Sequence, residues 1–72
     1  MRVEVQPLAG FDRLLTYEVS EKISSQIKVG CLVQIPLGRR RVLGVVFSLD
    51  SKEPIDPKKL RFLGGLIQPE PV

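Results

Sequence analysis

"CLVQIPLGRRRVLGVVFSL", residues 31–49, sets two apolar runs on either side of a glycine and three arginines. The first run, "CLVQIP", reads as a strand that ends at Pro36. The second, "VLGVVFSL" from Val42 to Leu49, is the most apolar stretch of the chain and reads as a central strand. Between them "LGRRR" has the length and the glycine of a hairpin loop. A solvated turn needs one or two polar residues, so three neighbouring guanidiniums ask for a negative partner. Alternation along the hairpin would point Arg39 and Arg41 one way and Arg40 the other, which leaves one or two of them for phosphates.

Outward from this hairpin the chain continues in short β-compatible pieces. "RVEVQPL" alternates Val3 and Val5 with Glu4 and Gln6 and is closed by Pro7, a period-two strand. "AGF" turns the chain, and "DRLLTYEV" from Asp12 to Val19 is a second short strand. "SEKISSQIKVG", Ser20 to Gly30, is a polar connector whose two isoleucines suit one helical turn. On the other side, "DSKEPIDPKKL" is a surface connection with room for a helical turn begun at Pro57. "RFLGGLIQ" closes as a last strand in which Gly64 and Gly65 permit a bulge. "PEPV", residues 69–72, reads as the start of a linker, so the domain is drawn as residues 1–68. The expected fold is all-β: about five strands in a small, partly open, OB-like barrel with at most a short helical turn, whose rim loops do the work.

Composition narrows the function. The chain has 72 residues, which is one domain at most. Its single cysteine, Cys31, forms no internal disulfide and reads as a small buried apolar residue. With no histidine the commonest general base and metal ligand is missing, and one cysteine does not make a structural zinc site. The serines have no histidine to activate them, and no phosphate-binding GxxxxGK[ST] loop is present. No apolar run nears the roughly 20 residues of a membrane span, and "MRVEVQPLAG" lacks the pattern of a signal peptide. Catalysis is therefore not expected, and a binding module is. From Lys22 to Leu49 there are five basic residues and no acidic one, and Lys58, Lys59 and Arg61 form a second group. That asymmetry favours a polyanionic partner.

Three local features carry chemistry. In "GFD", Phe11 is either core or a platform for a nucleobase. Asp12 either fixes the turn or accepts a hydrogen bond from a sugar hydroxyl or base N–H, since it would repel a phosphate. A pocket built on such an acceptor admits a free terminal hydroxyl and rejects a terminal phosphate. In "PLGRRR", Gly38 allows a tight turn and close ligand approach. In "KKLRF", Arg61 opens the last strand directly after two lysines and a leucine.

In order, the "V-V" strand, "FD-LL", "G-C-V-IP-G", "GVV" and the closing "L-R-----I--EPV" resemble the N-terminal DNA-binding domain of the PriA family of bacterial replication-restart helicases, over essentially the whole chain. The resemblance implies recognition of the free 3′ end of the leading strand at a stalled or branched fork, with little base preference. It implies a 3′-end pocket of Phe11, Asp12, Gly38 and Arg61, in which Phe11 packs on the terminal base or sugar. Asp12 would accept from the 3′ hydroxyl, Gly38 would allow close approach and Arg61 would meet a phosphate. Arg39, Arg40, Arg41 and Lys59 would supply secondary phosphate contacts. Three positions depart from the family pattern: Arg13 stands where an aromatic is usual, Leu37 replaces a phenylalanine, and Arg61 replaces a lysine. The implied wall is thus less aromatic.

By the same resemblance the parent protein is an ATP-dependent 3′ to 5′ helicase of the bacterial cytoplasm. The domain needs no cofactor of its own, while ATP, Mg and zinc belong to the rest of the parent. Partners are DNA and, through the parent, other primosome proteins and single-strand-binding protein. No membrane is involved and the domain is monomeric. Two rival readings differ in what they bind: a general single-strand-binding small barrel is indifferent to strand ends, and a protein-interaction domain docks an acidic partner through the arginine loop.

Overall fold

In the computed structural model, residues 1–8, 12–52, 58 and 60–68 are described. Strands β1 (Arg2–Pro7) and β2 (Leu15–Glu18) precede a single helical turn, α1 (Glu21–Ser24). Then follow β3 (Leu32–Leu37), β4 (Arg40–Leu49), β5 (Arg61–Phe62) and β6 (Gly65–Gln68). They form one six-stranded sheet in the order β5-β2-β1-β4-β3-β6. The sheet curls into a half-barrel, an all-β, OB-like fold. Every pairing is antiparallel except that of β2 with β5.

Strand alternation builds the core. On β1, Val3, Val5 and Pro7 are buried while Arg2, Glu4 and Gln6 are not. Val3 lies opposite Tyr17 on β2, and Ile35 on β3 lies opposite Val42 on β4. Val33, Val46, Cys31, Val19 and Ile27 complete the buried set, and each fully buried Val or Ile contributes about 1.5–3 kcal/mol relative to exposure. The strand expected to be central, β4, is one of the two middle strands of the sheet. Its Gly44 faces β1 so closely that a Cβ there would fall 2.5 Å from Val5 Cγ1 and 3.2 Å from the Gln6 carbonyl oxygen. Near its end β4 bulges: Val5 pairs with Val46 but Glu4 with Ser48. The bulge brings the Ser48 hydroxyl to donate to Glu4 Oε1 at 3.0 Å.

The helical turn falls where expected. Ser20 caps it, its hydroxyl oxygen accepting from the Lys22 amide at 3.1 Å.

Two expectations need correction. The last strand is broken in two, giving six strands among the described residues where about five were expected. Leu63 donates its amide to the Glu18 carbonyl at 3.0 Å, and Gly64 donates to the Gln34 carbonyl at 2.6 Å. This segment thus starts beside β2 and finishes beside β3, linking the two edges of the curled sheet. The arginine loop is also shorter than "LGRRR": only Gly38 and Arg39 form the turn, while Arg40 and Arg41 already pair with Leu37 and Pro36. The pairing energy of two more ladder positions favours the tighter loop. Gly38 permits it with φ +63°, the glycine-first arrangement of a type II′ hairpin. The helical turn expected from Pro57 and the linker at 69–72 lie outside the described residues.

Candidate nucleic-acid interface

The registers bring three segments to one end of the sheet. Val5 pairs with Leu15, so the approach to β2 lies at the Pro7 end of β1. Gly44 pairs with Pro7, so the β3–β4 turn projects beyond that same end. Arg61 opens β5 beside Tyr17, and its side chain reaches the β3–β4 turn at Gly38. A hollow of about 320 Å³ opens between them, within the range of small-ligand sites. Its walls among the described residues are Leu15, Thr16 and Tyr17 of β2, Pro36 and Leu37 of β3, Gly38 of the turn, and Arg61 of β5.

Two of the expected site residues meet here directly. Arg61 Nη1 donates to the Gly38 carbonyl oxygen at 3.3 Å. A Cβ built on Gly38 would touch nothing within 4 Å, so the glycine keeps open space beside the hollow. Arg39, Arg40 and Arg41 are all exposed on the adjoining hairpin. Alternation with inward Val42 and Gly44 sends Arg40 toward the concave side and Arg41 to the outer face. Asp12 is exposed, three residues ahead of β2, and is not one of the wall residues. Phe11 and Lys59 lie outside the described residues.

Tyr17 is the site residue that sequence reasoning missed. It is 4% exposed, yet its hydroxyl donates across the barrel to the Pro36 carbonyl oxygen at 2.8 Å. Such a bond contributes about 1 kcal/mol net. The available signal was a tyrosine in a run of core positions, because a buried phenol needs an acceptor. Burial pushes its pKa above the ordinary value near 10, and the positive Arg61 pulls it partly back. The hydroxyl is therefore a donor throughout the neutral range. The stability linked to it is complete below pH 10, the unfolded value, and is lost as pH rises through the higher folded value.

Electrostatically this end of the barrel is unbalanced. Among the described residues the ion pairs gather at the other end, on Glu18: the Met1 amine to Oε1 at 3.5 Å and Arg2 Nε to Oε2 at 3.8 Å. None involves Arg39, Arg40, Arg41 or Arg61. A hollow with partly apolar walls, backbone carbonyls at its rim and unneutralised guanidiniums beside it suits a ligand with a flat apolar part, hydroxyl donors and phosphates.

Such a rim on a small β-barrel defines a nucleic-acid-binding module. The family comparison narrows it: the 3′ DNA-binding domain (3′BD) model of PriA matches residues 2–72, and the chain belongs to that family. It is a DNA-binding domain of the primosome and replication-restart system, and is not itself catalytic. No match was found among curated proteins.

Proposed function

We propose that this domain captures the free 3′ end of the leading strand at a stalled or branched replication fork and so delivers a replication-restart helicase to it. The observation that carries the reading is the hollow that joins Gly38 to Arg61 at the cationic end of the barrel. In this reading the terminal nucleotide enters the hollow between Leu15 and Leu37 and the Arg61 guanidinium meets its phosphate. Phe11 packs on the base or sugar, and Asp12, at the approach to β2, accepts from the 3′ hydroxyl. Contacts to sugar, phosphate and ring faces leave the base edges unread, hence little base preference. Exposed Arg39, Arg40 and Arg41, with Lys59, hold the backbone behind the end. The ATP-driven 3′ to 5′ motor belongs to the parent protein, in the bacterial cytoplasm, and follows this domain.

The test compares single-stranded oligonucleotides ending in a 3′ hydroxyl with the same sequences ending in a 3′ phosphate, titrated against the 72-residue chain. Tighter binding of the hydroxyl ends, lost in Asp12→Ala with little change in salt dependence, is the expected result. Equal affinity for both ends removes terminus recognition and favours the general single-strand binder.

A further inference from the structure

Tyr17 does two jobs at one point of the fold. Its backbone lies in register with Arg61 on β5, and its hydroxyl holds Pro36, two residues before Gly38, on β3. The two groups that meet at the wall of the hollow, Arg61 and the Gly38 carbonyl, are therefore both referred to this one residue. β2 and β3 are not neighbours in the sheet, so no ladder hydrogen bond sets the distance between them at this end. Further along, the backbone bonds of Leu63 to Glu18 and of Gly64 to Gln34 tie the two sides; beside the hollow, the ties among the described residues are the Tyr17 hydroxyl bond and the exposed Arg61–Gly38 contact. A guanidinium that turns to a phosphate gives up the second. The first is part-buried and joins two uncharged groups, for which a phosphate does not compete.

We infer that Tyr17 is a positioning residue that sets the width of the 3′-end hollow, its hydroxyl bond to the Pro36 carbonyl holding the β3–β4 turn at a fixed distance from Arg61. This rests on the 3′-end reading above. A hollow of fixed width discriminates between ends that differ by one phosphate, whereas a loose one accommodates both. General attraction for the DNA backbone comes from the exposed hairpin arginines, none of which is the partner of the Tyr17 hydroxyl. Tyr17 thus governs selectivity for the terminus and leaves the electrostatic part of affinity alone.

The test is Tyr17→Phe in the whole chain, which keeps the ring and deletes the hydroxyl. The ratio of affinities for 3′-hydroxyl and 3′-phosphate oligonucleotides is expected to fall several-fold, while the slope of log affinity against log salt stays at its wild-type value. A wild type that discriminates together with a variant that discriminates equally overturns the positioning role alone. A wild type that does not discriminate overturns the terminus reading and this inference with it. A second measurement needs no variant. In NMR titrations of the wild type, the Tyr17 ring and Gly38 amide signals are expected to shift together with the 3′-hydroxyl oligonucleotide and not with the 3′-phosphate one. Shifts confined to the arginines overturn the inference.

Discussion

The two ends of this small barrel handle charge in opposite ways. At one end Glu18 gathers two cations of its own chain, the Met1 amine and Arg2, and the Ser51 amide closes onto the Arg2 carbonyl at 2.9 Å. At the other end Arg39, Arg40 and Arg41 stand exposed without an ion pair among the described residues, and Arg61 is held by a neutral carbonyl. The first end satisfies itself and the second is left to be satisfied by something else. Charge left unpaired on one face of a module of net charge +3 orients it toward a polyanion without raising its overall charge much.

The contrast breaks most decisively at the hairpin. Neutralising Arg39, Arg40 and Arg41 together to alanine should lower the salt slope of single-strand binding by about 1.4, the equivalent of two phosphates, and Arg61→Ala by about 0.7. Fluorescence anisotropy across a salt series reads both, and unchanged slopes would place the DNA elsewhere. Next in size is Gly38→Ala. It forces a Cβ onto a φ of +63° and should cost about 1–2 kcal/mol in chemical denaturation. It also puts a methyl group into the open space beside the hollow, so end binding should suffer as well. The smallest effect belongs to the self-paired end. Arg2→Ala removes a long, half-exposed ion pair and should cost under about 1 kcal/mol of stability, with DNA affinity unaltered. A large loss of DNA affinity in that variant would erase the distinction between the ends.

The β3–β4 hairpin was legible because its signals are local: apolar runs of strand length, a glycine where the backbone must reverse, and arginines at the bend. Gly38 and Arg61 were legible as a pair only through the family resemblance, since 23 positions separate them and nothing in either segment names the other. The tie from Tyr17 to Pro36 was not legible. It depends on the curl of the sheet, which no neighbouring residue encodes. The break in the last strand was half legible: Gly64 and Gly65 announced an irregularity, but not that the chain would leave one partner strand and join another there.

That change of partner has a consequence for how the protein comes into being. Tyr17 and Arg61 are 44 positions apart, and pairings of such separation form late and slowly. As the polypeptide leaves the ribosome, the arginine hairpin can assemble while the residue that completes the hollow is still inside the exit tunnel. On the proposed function, a nascent domain would thus attract nucleic acid nonselectively well before it could tell one kind of terminus from another, and selectivity would be the last property acquired.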